Sequence, residues 1–297
     1  HMYCSDVEDY SIQIETENVN MQLKGKLFSS RTLILLIIQF FIIHTYMQGL
    51  VECSKAYDYP CAPWVLPFYF SSSYVILINM FMIIYYFSDA PFMQYYNLYR
   101  IMRYGRIRYA VANIVAIIAE AVIYMVSSFI FSVICLGGHI DYTSTWGKLL
   151  YTIGATNDTR DIQIYMDVSY DLMNNLSPMM AMIQIFVIGI GVFAFVGLLM
   201  YVISLYFSRM AAITVAILMT AMAYITVDAV PLFGKKLGYI SPISWLYITR
   251  INNTYLGVYT LPGLRYILEF LGIGIVVCIV FILIKSKTVN FEFYKED

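Results

Sequence analysis

Charged side chains are rare in this sequence: Asp, Glu, Lys and Arg together make up 12% of its 297 residues, about half the share of an ordinary soluble domain. That scarcity argues against a soluble enzyme with a solvated surface, and a formal net charge of −1 argues against a general nucleic-acid partner. Histidine is almost absent. Besides His1 there are only His44 and His139, without an obvious set of metal-ligand neighbours. No Gly-x-x-x-x-Gly-Lys-Ser/Thr motif occurs, and "VPLFGKKLG" (230–238) has a Gly-Lys without the upstream glycine or the hydroxyl residue that cradling a phosphate requires. His-Glu-x-x-His and Gly-x-Ser-x-Gly are missing too, so the chain is expected to carry no catalytic site and to bind no cofactor itself. Cysteine is sparse. Cys53 and Cys61 share one short loop and are candidates for a disulfide, whereas Cys4, Cys135 and Cys278 have no such setting.

What is present is apolar. Hydrophobic residues make up 61% of the chain, and its mean hydropathy is +0.72, the signature of an all-α integral membrane protein. With about 20 apolar residues needed per crossing, six transmembrane helices are expected. They start near Arg31, Trp64, Tyr109, Pro178, Met210 and Tyr266, and end near Val51, Phe87, Gly137, Phe207, Val230 and Ile284. Residues 1–18 read as an acidic tail, opened by a His1-Met2 cloning scar and lacking a cleavable signal; 19–287 read as one membrane domain and 288–297 as a C-terminal tail. Placing both termini in the cytoplasm puts eleven of the eighteen Lys and Arg residues inside, Arg31, Arg100, Arg103, Arg106 and Arg108 among them. Lys235-Lys236 run against this orientation.

One internal loop is substantial. "YYNLYRIMRYGRIRYA" (95–110) holds four arginines, and Phe92, Tyr95, Tyr96, Tyr99 and Met102 recur at helical spacing, giving an amphipathic helix an aromatic stripe beside Arg100 and Arg103. Pro91 after Asp89 suits its first turn and Gly105 its stop. Two readings fit: arginines that snorkel to lipid phosphates, or a surface helix that presents aromatic knobs to a partner.

Three stretches together resemble the ABC-2 permease family, the membrane subunits of type-2 ABC exporters. They are the lead-in "NVNMQLKGKLFSSR", the loop "SDAPFMQYYNLYRIMRYGRIRYAVANI", and "LGYISPISWLYITRINNTYLG" (237–257), where that family folds a re-entrant helical hairpin before its last span. The resemblance implies an N-terminal amphipathic interface helix over 19–31 and an extracellular re-entrant hairpin. It also implies a cytoplasmic coupling helix in which Asp89, Phe92, Tyr95, Tyr96, Tyr99, Arg100 and Arg103 dock onto an ATPase. The implied partners are two copies of a cytoplasmic ABC ATPase, which bind the ATP and Mg, and a second copy of this chain or a similar permease, all set among membrane lipids. The expected function is outward movement of an amphiphilic substrate (peptide, antimicrobial compound or lipid) across a bacterial plasma membrane.

Glu120 lies about midway along the third span, with Tyr124 one turn away and Asn113 two turns away, so a partly polar stripe faces protein or water. It reads either as part of a substrate path or as a structural tie between helices. An ion-gradient-coupled transporter using Glu120 is the first alternative function, and a membrane scaffold or intramembrane enzyme the second. The glycines of "VIGIGVFAFVG" (187–197) read as tight packing within one subunit. The loop from about His139 to Ser177 is rich in aromatic and apolar residues, which predicts a small ordered cap, partly helical at "TWGKLLYTIG".

Overall fold

A computed structural model describes residues 30–89, 105–138, 140–156, 162–228, 236–251, 254–255, 258–259 and 261–288. The helices are α1 (Ser30–Tyr57), α2 (Leu66–Tyr69), α3 (Ser73–Phe87), α4 (Arg106–Leu136), α5 (Gly147–Thr156), α6 (Tyr170–Asn175), α7 (Pro178–Tyr206), α8 (Arg209–Asp228) and α9 (Leu264–Ser286). Strand pairing among the described residues outside isolated bridges is one two-residue hairpin, Thr254–Tyr255 against Val258–Tyr259. Five of these helices, α1, α4, α7, α8 and α9, are long and apolar enough to cross a membrane. The chain is an all-α, multi-pass membrane protein.

Local chemistry sets the helix ends. Pro178 occupies the first turn of α7 and Ser177 Oγ accepts the Met180 N–H at 3.4 Å, so a preset φ and a side-chain cap start the helix together. At the far end of α4, Gly137 has φ +65°, a conformation closed to most L side chains, and the helix stops there. The expected second span is not continuous. Ser71 Oγ donates to the Pro67 carbonyl at 2.8 Å and Ser72 is extended, so a run of three serines competes with the helix and divides it into α2 and α3. At 15 residues, α3 is about 22 Å long.

The axis of the bundle is α7, 67% buried along its most apolar stretch, against 22% for α9 at the periphery. A Cβ on Gly197 would fall 2.8 Å from Ile117 and 2.9 Å from Phe87, so glycine here lets α3 and α4 close onto α7. That matches tight packing within one subunit. Gln39, Asn79, Asn113, Glu120 and Ser128 point inward, while Ile34, Ile37 and Phe41 on α1, Val126, Ile130 and Ile134 on α4, and Ile273, Val276 and Val280 on α9 are exposed. A bundle that is apolar outside and hydrogen-bonded within is built for lipid.

A cap is present, as the aromatic content of its sequence predicts. Trp146 is buried, packs 5.2 Å from Phe68 and donates from Nε1 to the Leu176 carbonyl at 3.0 Å. The cap also lies on α1, where a Cβ at Gly49 would come 2.5 Å from the Gln163 carbonyl oxygen. Gly49→Ala is therefore expected to destabilise the protein by about 1–3 kcal/mol, read as a fall of several degrees in thermal midpoint; an unchanged midpoint would contradict this contact.

Where a re-entrant helical hairpin was expected, residues 236–240 form one helical turn, followed by 3-10 turns at Pro242–Leu246 and Ile248–Arg250. Pro242 cannot donate to the preceding turn, and the chain tightens there. Every residue from Ser241 to Thr249 is buried. The segment plugs one end of the bundle against α7, α8 and α9, an arrangement that gives irregular backbone protein partners in place of lipid.

Candidate functional site

A seam of hydrogen-bonded polar side chains runs through the interior between α1, α3 and α4. Gln39, in the middle of α1, donates from Nε2 to Ser128 Oγ at 2.6 Å and to the Tyr124 carbonyl at 3.2 Å, and accepts from Ser127 Oγ at 2.9 Å. Tyr124 donates its hydroxyl to Asn79 Oδ1 at 2.6 Å, and Asn79 Nδ2 donates to Tyr69 at 3.1 Å and to the Val75 carbonyl at 2.7 Å. Lower on α4, Asn113 Nδ2 donates to the Tyr201 hydroxyl of α7 at 3.3 Å. In a lipid-embedded bundle such bonds fix register, because apolar packing alone does not distinguish one helix rotation from another.

Asn113, Glu120 and Tyr124 are all buried within the chain. Sequence reasoning did not find their partners Gln39, Asn79, Tyr69 and Tyr201. The signal for two of them is a lone amide inside an apolar run, in "LLIIQFFII" and "VILINMFM".

Glu120 is the middle of α4 and lies level with the ends of two neighbouring helices. Thr32, at the start of α1, donates to the Tyr86 hydroxyl at 3.2 Å, and Tyr86 lies within electrostatic reach of Glu120. The start of α1 and the end of α3 are thus level with Glu120, and α4 continues about 20 Å further to Arg106. Just beyond Tyr86, Asp89 forms an ion pair with Arg31, whose guanidinium stands 5.7 Å over the Tyr85 ring. Arg106 and Arg108 are exposed. Phe92, Tyr95, Tyr96, Tyr99, Arg100 and Arg103 lie outside the described residues, as do residues 19–29 of the N-terminal interface helix expected over 19–31, the N-terminal tail, and residues 289–297.

The plug end has its own polar contact. Tyr247 donates to Asp167 Oδ2 at 3.0 Å and underlies Arg250 at 4.7 Å, while Arg250 Nη1 donates to the Val227 carbonyl at 2.6 Å. Burial, and then the neighbouring Asp167 charge, push the Tyr247 hydroxyl well above its ordinary pKa and hold it as a neutral donor. This ties the cap to the plug.

Cys53 and Cys61 are free thiols, both buried, so the disulfide suggested by their shared loop is not formed in this structure. Cys61 is held by an isolated bridge to Ile140, and burial pushes its thiol up to about 12. At pH 8 about one thiol in ten thousand would then be ionised. Cys61 is expected to resist maleimide in the folded protein and to label on denaturation; rapid labelling before denaturation would contradict its burial.

Among the described residues there is no group of three or more His, Cys, Asp or Glu that would hold a metal ion. No protein-family model, curated protein or solved structure matches the chain.

Proposed function

We propose that this chain is the membrane-spanning permease subunit of an ATP-driven exporter of the ABC-2 type, moving an amphiphilic substrate outward across a bacterial plasma membrane. The observation that carries the reading is the Arg31–Asp89 ion pair. It fastens the start of α1 to the end of α3, at the point where residues 90–104 begin. A push on that segment would reach α1 through the pair, α3 directly and α4 through Arg106, which makes rigid-body motion of three helices a natural response.

Six crossings with both termini on the cytoplasmic side are supported by helix direction. α1 runs parallel to α4, since Thr32 is level with Glu120 and Gln39 bonds Ser128. α4 runs antiparallel to α7 through Asn113–Tyr201 and Phe129–Phe186, and α7 parallel to α9 through Phe195–Phe270 and Tyr206–Phe281. The start of α1 and the end of α9 therefore point the same way. This supports an even number of crossings, in which α2 and α3 together would supply the sixth. Two such subunits would pack above two ATPase subunits, which bind ATP and Mg; the plug at Ser241–Arg250 would be the external re-entrant element. The test is affinity purification of the tagged chain from its native membrane: an ABC-type ATPase is expected in the eluate, and its absence would remove the basis for the assignment.

The burial of Glu120 favours one second reading, a transporter coupled to an ion gradient through that carboxylate. Glu120→Gln separates the two. ATP-driven export predicts that transport survives with only a changed thermal midpoint, whereas gradient coupling predicts its loss.

A further inference from the structure

Two neighbouring hollows at the capped end of the bundle differ in chemistry. One is an apolar crevice of about 600 Å³ in which Trp64, Phe129, Ile130, Val133 and Ile134 form most of the wall. The other is a cleft of about 760 Å³ bordered by Tyr59, Asp141, Thr145, Lys148 and Tyr151. Thr143 lines both. Its carbonyl accepts the Trp64 indole N–H at 2.9 Å, which satisfies the one polar group of that side chain and leaves its ring to the crevice. The shared wall is anchored from behind, where the Asp141 N–H donates to the Cys61 carbonyl at 3.0 Å.

The geometry points to a phospholipid site, with an acyl chain in the crevice and a zwitterionic ammonium-phosphate headgroup in the cleft. The crevice opens on the exposed face of α4 at Ile130 and Ile134, which a membrane-spanning chain presents to lipid tails. Trp64, Tyr59, Tyr142 and Tyr151 cluster at this end, as aromatic side chains do at the depth of lipid headgroups. Charge complementarity selects the headgroup. Among the described residues that border the cleft there is one cation, Lys148, whose ammonium stands 5.9 Å over the Tyr59 ring, and one anion, Asp141. Among the described residues neither makes an ion pair, so both are open to a ligand. Lys148 meets the phosphate and Asp141 accepts from a primary ammonium, a match for phosphatidylethanolamine. Phosphatidylglycerol offers Asp141 no cation, and phosphatidylcholine offers it no N–H donor. The inference depends only on the chain lying in a bilayer, not on its coupling to an ATPase.

The test is native mass spectrometry of the full-length protein in mild detergent with an equimolar mixture of the three dioleoyl lipids. Phosphatidylethanolamine is expected to be retained about threefold or more over each of the others. Lys148→Gln with Asp141→Asn, both at the border of an open cleft, is expected to bring the three to equal retention at an unchanged thermal midpoint. Ile130→Trp, which fills the crevice, is expected to lower retention of all three. Equal retention by the unsubstituted protein, a preference for phosphatidylglycerol, or an undiminished preference in the double variant would overturn the assignment.

Discussion

Trp245→Ala is expected to lower the thermal midpoint by about 10 °C. Trp245 is fully buried in the plug, its ring centroid 5.1 Å from Phe270 and 6.2 Å from Tyr266, and its Nε1 donates to the Gly238 carbonyl at 2.8 Å. Truncation removes the ring contacts and leaves a cavity, which costs about 3–5 kcal/mol in well-packed cores. It also strands a buried carbonyl, for a further 1–3 kcal/mol or so. At about 2–4 °C per kcal/mol for a chain of this size, a shift of 10 °C is a conservative expectation. Trp245→Phe keeps most of the packing and loses the hydrogen bond, so its shift should be less than half as large. A midpoint within 2 °C or so of the unsubstituted protein for the alanine variant would mean that the plug adds little to the stability of the bundle.

The second large effect is functional. Reversing both charges, Arg100→Glu with Arg103→Glu, is expected to reduce ATPase association about a hundredfold and to abolish export while leaving the thermal midpoint in place. Arginine anchors at a protein interface are worth about 2 kcal/mol or more each, and a reversed charge adds repulsion to the lost contact. Two such changes, even if far from additive, exceed the 2.7 kcal/mol or so that a hundredfold represents. If these arginines only snorkel to lipid phosphates, the outcome differs: membrane insertion or orientation suffers, and a correctly inserted fraction still binds the ATPase.

Much of the architecture can be read from hydropathy and caps because single helices in lipid are set by their own sequence. Pro178, Ser177 and Gly137 mark the ends of α7 and α4 within a residue or two of where periodicity places them. The cap was legible as well, from Trp146 and its apolar neighbours, since that much greasy surface needs a partner. The break at Ser71–Ser73 was not. Hydropathy averages over three serines in a run of apolar residues, whereas the helix responds to each hydroxyl that can bond the backbone locally.

The polar seam was half legible. A buried amide or carboxylate announces itself within its own helix, as Asn113 and Glu120 do. Its partner is set by how helices rotate against one another, which no single periodicity encodes. Gln39 and Asn79 carried the same signal as Glu120, and only the packing of α1 and α3 against α4 gives it meaning. The elements that stand beside Glu120 were not legible for a similar reason. Its place in α4 is central, but α1 and α3 are staggered along that helix, and stagger is a tertiary property. Cys53 and Cys61 share a loop in sequence and remain separate buried thiols in the fold.

The most direct test of the account is a photo-crosslink from the segment that begins at Asp89. With a benzoylphenylalanine at Tyr96, irradiation of native membranes is expected to produce one covalent adduct with an ABC-type ATPase, lost when that ATPase is deleted. Adducts with lipid alone, or labelling of the same position by a membrane-impermeant reagent from outside the cell, would contradict it.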